Sequence, residues 1–204
     1  MDFSFEPNGE HTDEGFKRIT YQNKTVNRNS FYDCTFTNCS LQETVFQNCK
    51  FRDCTFTDCD LRLMRVTGSS FRNTLFEKSA VIGVNWAEGS WSKGGLLESI
   101  GFIDSDISHS TFLGLELSKM VLRSCVAKDA DFAEANLTQA DCTYTDFTES
   151  RFLHTNLTEA DFTHARNYAI DVSLNTTKQA KFSLPEAVNL LRCMNIILVD
   201  SFAE

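Results

Sequence analysis

Large apolar residues recur every five positions along most of the chain. The series runs from Phe31 to Phe162 and contains one step of six, between Leu96 and Phe102. Its members are Phe31, Phe36, Leu41, Phe46, Phe51, Phe56, Leu61, Val66, Phe71, Phe76, Val81, Trp86, Trp91, Leu96, Phe102, Ile107, Phe112, Leu117, Leu122, Ala127, Phe132, Leu137, Cys142, Phe147, Phe152, Leu157 and Phe162. Before Phe31 the five-residue spacing continues less clearly, through Val26, Tyr21 and Phe16. A period of five fits neither an α-helix, whose period is about 3.6, nor a strand, whose period is about 2.

Mostly small residues occupy a second register, two places before each large residue. This small position holds Cys34, Cys39, Thr44, Cys49, Cys54, Cys59, Ser69, Thr74, Ser79, Ser105, Ser110, Cys125, Ala130, Ala135, Ala140, Thr145, Ser150, Thr155 and Ala160. Met64, Val84, Ile100, Leu115 and Met120 are the exceptions. The other three places of each unit are mostly polar or charged, so we expect the large and small positions to face inward and the rest to face solvent.

This pattern predicts an all-β solenoid. Each five-residue unit forms one side of a square coil, and four units complete a turn of about 20 residues. Successive turns stack at the spacing of neighbouring strands, roughly 4.8 Å, so that backbone groups pair between turns. One turn alone cannot bury its apolar side chains, and the repeats therefore have to stack.

The stretches ADFAEANLTQADCTYTDF (130–147) and TNLTEADF (155–162) are close to the sequence A(D/N)LXX. They resemble the consensus of the pentapeptide-repeat family, and the resemblance covers roughly residues 16–166. It implies a right-handed quadrilateral β-helix.

Five regions are predicted along the chain. An N-terminal segment (1–15) precedes a first repeat block (16–96), and a second block spans residues 102–166. Between the blocks lies a Gly-rich junction (97–101), where we expect a bulge or short loop because glycine permits backbone angles that stacked coils exclude. Gly89 is expected to leave room beside Trp91. Residues 167–204 form a C-terminal connection, helix and strand.

The C-terminal region is predicted to contain an α-helix over residues 183–194 and a short apolar strand over 195–200. Ser183 and Glu186 match a capping box, and Pro185 would lie in the first turn of the helix. Leu184, Val188, Leu191 and Cys193 could simply cover the open end of the solenoid. The resemblance implies instead a homodimer through this region, with an interface formed by Leu184, Val188, Leu191, Met194, Ile196, Ile197, Leu198 and Val199.

Composition narrows the possible partners. The net charge of −9 argues against nucleic acid or an anionic membrane as a direct partner. There is no apolar run long enough for a transmembrane helix, and the acidic N-terminus does not match a secretory signal. With eight cysteines and no such signal, we expect a cytoplasmic protein with free thiols.

Motifs that indicate a metal-binding or catalytic site are scarce. Neighbouring cysteines are spaced by four or nine intervening residues, unlike zinc-binding pairs, and we interpret them as small inward residues of the coil. His109, His154 and His164 are predicted to point outward without clustering. No arrangement of catalytic residues is evident, so the sequence predicts no enzyme, no bound metal and no cofactor.

Charge is distributed unevenly between the two blocks. Residues 16–101 carry a net charge of +3, whereas residues 102–166 carry −6. Eight outward carboxylates of the second block form the candidate binding surface: Asp129, Asp131, Glu134, Asp141, Asp146, Glu149, Glu159 and Asp161. Two interpretations stay open. Polar outward positions must be filled, and Asp and Asn suit tight corners; alternatively, carboxylates in rows on a rigid rod imitate the phosphates of DNA.

The overall layout resembles the Qnr and McbG group of gyrase-protecting pentapeptide-repeat proteins. That resemblance implies a DNA-mimicking homodimer that binds a type II topoisomerase, DNA gyrase or topoisomerase IV, and protects it from a quinolone or a peptide toxin. The chain departs from Qnr proteins that project long loops, since only residues 92–101 could serve as one. The alternative function is a non-enzymatic scaffold or regulatory module with another protein partner.

Overall fold

The computed structural model describes residues 4–91 and 99–199 and shows the predicted solenoid of parallel strands. Equivalent residues of successive coils pair at an offset of 20, as Phe36 does with Phe56. Four units of five residues therefore complete each turn, and the coil has four sides. Carbonyl and amide groups of neighbouring coils bond to each other along the whole rod.

Most strands are three residues long because each side of the coil is only one unit wide. They are β1 Glu10–Thr12, β2 Gly15–Lys17, β3 Thr25–Asn27, β4 Ser30–Tyr32, β5 Thr35–Thr37, β6 Val45–Gln47, β7 Lys50–Arg52, β8 Thr55–Thr57, β9 Ser70–Arg72, β10 Thr74–Glu77, β11 Ile100–Ile103, β12 Val121–Arg123, β13 Asp161–Phe162 and β14 Lys181–Phe182. A 3₁₀ turn covers Trp86–Glu88, and one α-helix, α1, covers Val188–Cys193.

The strands form parallel sheets on the sides of the coil. Strands β1, β4, β7 and β9 make side 1, and β2, β5, β8, β10, β11 and β12 make side 2, which isolated bridges extend to β13 and β14. On side 3, isolated β-bridges join each coil to the next, in a series that begins at Thr20 and ends at Arg166. Side 4 begins with β3 and β6 and continues by bridges through Thr111, Asp131 and Arg151.

Columns of stacked aromatic rings fill the interior, as the five-residue period predicts. On side 2 the rings of Phe36 and Phe56 stack with centroids 4.4 Å apart, and Phe76 continues the stack at 4.9 Å. On side 4 Phe112 and Phe132 stack at 4.9 Å. Rings on neighbouring sides meet edge to face, which matches the preferred geometry of aromatic pairs. The small positions are buried beside these columns.

The corners of the coil lie two places after each large position. Most corner residues have a positive φ near 55°, as Asp53 and Asp58 do. This left-handed conformation is uncommon outside glycine, and Asn and Asp tolerate it better than most residues. The backbone hydrogen bonds between coils offset the energetic cost of this conformation.

The junction between the blocks differs from the prediction. Phe76 pairs with Phe102 and Thr74 with Ile100, an offset of 26 rather than 20. The coil therefore contains a six-residue insertion, and the interpretation of a one-residue slip was wrong. The five-residue period cannot distinguish an insertion of six residues from an insertion of one, because the two differ by one full unit of five residues. Leu96, counted as inward, lies outside the described residues, and Ile100–Ile103 is a regular strand.

Gly89 occupies the place predicted for it. A Cβ atom there would lie 2.8 Å from Trp91 Nε1, which donates a hydrogen bond to the carbonyl of Trp86. Only glycine leaves this space open. Trp86 is fully buried, and Trp91 stacks over Phe71.

The first coil starts before residue 16. Strand β1 pairs with β4 and places His11 at a large position, where its ring stacks on Phe31 with centroids 4.9 Å apart. Phe5 covers this end of the core and packs edge to face against both rings. The sequence pattern missed His11 because a histidine does not register as a large apolar residue.

The C-terminal end differs from the prediction in two respects. Helix α1 covers only Val188–Cys193, and the predicted capping box does not form. Ser183 Oγ accepts the amide of His164 at 2.8 Å instead, and Glu186 Oε1 accepts that of Asn167 at 2.6 Å. Both acceptors lie 19 residues beyond their donors, where a further coil would supply a carbonyl. These two side chains therefore supply hydrogen-bond acceptors to backbone amides of the last coil.

Residues 196–199 form no strand, contrary to the prediction, and Asp200 lies outside the described residues. A strand needs a neighbour for its backbone groups. Among the residues that the structure describes, no strand pairs with this segment.

Candidate protein-interaction surfaces

The eight carboxylates predicted as a binding surface are spread around the coil. Asp131 lies on side 4, Asp146 on side 3, and Asp141 and Asp161 in register on side 2. The other four occupy corners: Asp129 and Glu149 after side 3, Glu134 after side 4, and Glu159 after side 1. The structure therefore brings together only pairs of them, each one coil apart, and not a single acidic face.

Four of these carboxylates stabilise their own turn. In Asp131, Asp141, Asp146 and Asp161, Oδ1 accepts the backbone N–H two residues further on, at distances of 2.9 to 3.1 Å. Asn136 and Asn156 make the same bond from the same position of the unit. These bonds explain why the position before the large residue is so often Asp or Asn in the second block, without any binding role.

The same four aspartates also face cations on neighbouring coils. Arg151, Arg166 and Lys181 each follow their aspartate by 20 residues, and the N–O separations are 3.5 Å to Asp131, 3.4 Å to Asp146 and 3.1 Å to Asp161. Arg123 lies 3.8 Å from Asp141. Local charge is thus partly neutralised on all three sides.

Asp146 is the most enclosed of the set, contrary to the expectation that it points freely into solvent. Only 10% of its side chain is exposed. Burial raises the pKa of this carboxyl, but hydrogen bonds from Asn167 and Thr148 outweigh burial and hold the pKa below its usual range. At Asp161 the pKa is likewise lowered: burial opposes the shift, and bonds from Thr163 and Lys181 prevail. Both groups are therefore structural carboxylates.

The four corner carboxylates are more exposed. Asp129 pairs with His109 at 3.0 Å, and Glu159 accepts a bond from Gln139 at 2.7 Å. Glu134 and Glu149 form neither an ion pair nor a side-chain hydrogen bond with the described residues. Of the eight, these two keep the most unscreened charge.

A row of carboxylates that runs from the N-terminal segment into the first block was not predicted. Asp13, Asp33 and Asp53 occupy the same corner of three successive coils, and Asn73 continues the row with a 2.8 Å bond to Asp53. Their spacing of 20 residues was visible in the sequence.

The cysteines take part in the hydrogen bonding of the coil. Cys59 Sγ donates to the carbonyls of Phe36 and Thr57 at 3.4 Å and accepts the amide of Cys39 at 3.5 Å. Ser79 and Ser105 occupy the same column and make equivalent contacts. Burial raises the pKa of Cys49 and of Cys54 to about 11, so these thiols stay protonated at neutral pH.

Within residues 4–91 and 99–199, no group of three or more His, Cys, Asp or Glu side chains is arranged to hold a metal ion. His109, His154 and His164 point outward, as predicted. None of the helices in the described part of the chain has the length and apolar character needed to cross a lipid bilayer.

The residues predicted to form a dimer interface are mostly exposed. Leu184, Ile197 and Val199 have 79%, 88% and 85% of their surface accessible, and Leu191, Met194, Ile196 and Leu198 between 42% and 44%. Val188 is half-buried. Exposed apolar residues in such a contiguous run are unusual on a monomer and typical of contact surfaces.

Comparison with protein families agrees with this geometry. A family model described as a pentapeptide repeat region matches residues 29–100, and a second, described as pentapeptide repeats (8 copies), matches residues 135–166. Together they match just over half of the chain. The chain belongs to the pentapeptide-repeat family. No curated protein matches its sequence.

Solved structures of pentapeptide-repeat proteins share the fold at low identity. A trypsin-treated variant of QnrB1, a plasmid-mediated fluoroquinolone resistance protein, aligns with a TM-score of 0.61 and 15% identity over 94% of this chain and 100% of that one. Full-length QnrB1 gives 0.55 and 17% over 92% and 100%.

Proposed function

We propose that this pentapeptide-repeat protein binds a type II topoisomerase, DNA gyrase or topoisomerase IV, and protects it from quinolone or peptide-toxin poisoning. The observation that carries the proposal is the architecture: a four-sided rod that ends in a short helix and an exposed apolar segment. QnrB1, a fluoroquinolone resistance protein, aligns with almost the whole chain. A rigid rod with a net charge of −9 suits competition for a protein groove that normally holds duplex DNA.

The proposal includes a cytoplasmic, non-enzymatic homodimer joined through the C-terminal apolar segment. Pairing of two copies would cover Ile197 and Val199 and supply the strand partner that residues 196–199 lack. Replacing both residues with Asp should convert the dimer to a monomer in sedimentation equilibrium. Tyr144→Asp, at an exposed corner of the coil, is the control. A dimer that survives the double replacement would refute this interface.

The contact with the topoisomerase is proposed to involve the exposed corner carboxylates rather than all eight predicted positions. Glu134 and Glu149 lack ion-pair partners among the described residues, and their charge is the most available to a basic groove. Asp131, Asp141, Asp146 and Asp161 hold their own turns, so their contribution to binding should be smaller.

A supercoiling and quinolone-cleavage assay tests the proposal. Purified protein is titrated into DNA gyrase with relaxed plasmid, with and without a quinolone. We expect fewer drug-stabilised cleavage complexes and, at higher concentration, slower supercoiling. No change in either activity, together with no complex in a pull-down, would refute the topoisomerase assignment.

The second candidate is a protein-interaction scaffold with a different partner. It is favoured by the engagement of four predicted carboxylates in turns and ion pairs, which reduces the likeness to a line of phosphates. Under this alternative the acidic second block serves folding and solubility. A protein that shows no effect on topoisomerase but still self-associates would match it.

A further inference from the structure

The arginines on side 1 differ from those on the other three sides of the rod. Each arginine on sides 2, 3 and 4 in the described part of the chain has a carboxylate oxygen within 3.8 Å, and these are Arg62, Arg65, Arg123, Arg151 and Arg166. Arg52 and Arg72, at the ends of β7 and β9 on side 1, form no ion pair with any described residue. Their guanidinium groups therefore keep their donors available.

Arg52 and Arg72 also lie directly opposite each other on neighbouring strands. The register of β7 and β9 pairs Arg52 with Arg72, and Lys50 with Ser70. Like charges at opposite positions of paired strands destabilise a sheet. Folding therefore gains nothing from this pair, whereas an anion bound between the two guanidinium groups would remove the repulsion.

Lys50, Arg52, Ser70 and Arg72 mark the corners of a rectangle on the surface of side 1. They alternate with the buried Phe51 and Phe71, so their side chains point outward. Neighbouring coils are about 4.8 Å apart, and residues two places apart on a strand are roughly 7 Å apart. The ammonium and hydroxyl groups lie on one edge and the two guanidinium groups on the other, and all four can donate hydrogen bonds. One small oxyanion over the centre can be reached from every corner.

The groups around this rectangle leave its cations unneutralised. Arg52 Cζ lies 5.5 Å from the centre of the Tyr32 ring, a cation–π contact that orients the guanidinium without using its N–H donors. At the adjacent corner, Asp53 Oδ1 accepts a hydrogen bond from Asn73 Nδ2 at 2.8 Å. That carboxylate is thus engaged with its own column of corner residues and is not an ion-pair partner of either arginine.

We propose that Lys50, Arg52, Ser70 and Arg72 form a binding site for a compact phosphate group, either inorganic phosphate or the phosphate monoester of a small molecule. A phosphate dianion matches two unpaired guanidinium groups in charge, and its oxygens accept bidentate bonds from them. The ligand is compact because the net charge of −9 repels an extended polyanion such as a nucleic acid. The site is separate from Glu134 and Glu149, so its failure would leave the proposed topoisomerase binding untouched.

Titration of the full-length chain with inorganic phosphate, at constant ionic strength, tests the site. We expect saturable binding by calorimetry with a millimolar or lower dissociation constant. Arg52→Gln and Arg72→Gln should each weaken it at least about tenfold, because each removes a charge-assisted hydrogen bond. Arg62→Gln is the matched control: it removes the same charge from an arginine already paired with Asp60, and should bind as wild type does. No saturable binding by the folded wild type, or an equal loss in the control, would overturn the proposal.

Competing ligands identify the chemistry of the anion. Glycerol 3-phosphate should displace inorganic phosphate if the site takes monoesters, and should not if it takes only the free ion. Acetate at the same concentration should displace neither, since it has a single charge and two oxygens. Displacement by acetate as effective as by phosphate would overturn the assignment to phosphate. A DNA duplex that binds more tightly than phosphate through the same arginines would overturn the assignment to a compact ligand.

Thermal unfolding separates a binding role of the arginines from a structural one. In phosphate-free buffer Arg72→Gln should be at least as stable as wild type, because the substitution removes the repulsion from Arg52. Added phosphate should raise the Tm of the wild type and of Arg62→Gln, and should raise that of Arg72→Gln much less. An Arg72→Gln protein that is less stable than wild type without phosphate, or equally stabilised by phosphate, would contradict the site.

Discussion

The two repeat blocks use the same two kinds of acceptor for the amides at their small positions, but in different proportions: side-chain acceptors on the next coil are more frequent in the first block, and backbone carbonyls of the same turn in the second. In the first block the amides of Cys39, Cys49 and Cys59 donate to Sγ or Oγ of the small residue one coil further on. In the second, the amides of Ala135 and Ala140 donate to the preceding large residue's carbonyl, at 3.2 and 3.0 Å. An Asp or Asn side chain then closes the same turn.

This difference explains the composition of both blocks. At some small positions the side chain must accept a hydrogen bond from a backbone N–H of the preceding coil. Those positions need Cys, Ser or Thr. Where the backbone turn satisfies that amide, alanine is sufficient, and Asp or Asn appears before the large residue. The acidity of the second block therefore partly reflects how its corners close, and its carboxylate count overstates the charge available to a partner.

Core truncation should have the largest effect, and it should be equal in the two blocks. Phe56 and Phe132 are both buried and stacked between two rings. We expect Phe56→Ala and Phe132→Ala each to lower the free energy of unfolding in urea by about 3–5 kcal/mol. Tyr144→Ala, at an exposed corner, is the control. A loss below about 1 kcal/mol at either phenylalanine would contradict the shared core.

Cys59 tests the corner arrangement of the first block. Cys59→Ala removes the acceptor for the Cys39 amide and should cost about 1–3 kcal/mol of unfolding free energy. Cys59→Ser should cost much less, because Ser79 and Ser105 make the equivalent bonds in the same column. If alanine and serine were equally tolerated in urea denaturation, the thiol would be acting only as a small apolar residue.

Asp146 tests the corner arrangement of the second block. At pH 7 we expect Asp146→Ala to cost about 1–2 kcal/mol, and Asp146→Asn less, because Asn closes the same turn at positions 136 and 156. The folded-state pKa of Asp146 is lowered, so its stabilisation is present above about pH 4 and lost as the pH falls through the folded-state value. Thermal unfolding at pH 7 and pH 3 should show the difference between wild type and Asp146→Ala shrinking in acid. A constant difference would refute the charged-group account.

The exposed pair of His109 and Asp129 should matter least. Both side chains are more than 60% accessible, and their 3.0 Å contact bridges neighbouring coils. A double-mutant cycle with His109→Ala and Asp129→Ala should give a coupling below about 0.5 kcal/mol at pH 7. A coupling of several times that size would mean that corner ion pairs, and not only turn bonds, stabilise the second block.

Much of this fold follows from the sequence period. The inward positions from Phe31 to Trp86, the columns of Cys and Ser, and the space at Gly89 were all predictable, because a coil of fixed width forces each residue into one place. The insertion before Phe102 was not, since an added unit of five leaves the period unchanged. His11 was missed because stacking on Phe31, not hydrophobicity, gives it an inward place.

The candidate surfaces were less predictable than the core. The spacing along the sequence predicts which carboxylates share a column, such as Asp141 and Asp161. It does not predict which atoms those carboxylates contact. The enclosure of Asp146 by Asn167 depends on the chain after the last repeat. The strand expected over residues 195–200 needs a partner that a single sequence cannot supply.

Affinity for DNA gyrase, measured for two variants that each lose two charges, tests the central claim most directly. One carries Glu134→Gln and Glu149→Gln, and the other Asp141→Asn and Asp161→Asn, in which Asn can still close the turns. We expect micromolar or tighter binding of the wild type, at least tenfold weaker binding of the Gln variant, and a smaller loss for the Asn variant. No binding of the folded wild-type protein, or a Gln variant that binds as tightly as wild type, would contradict the account.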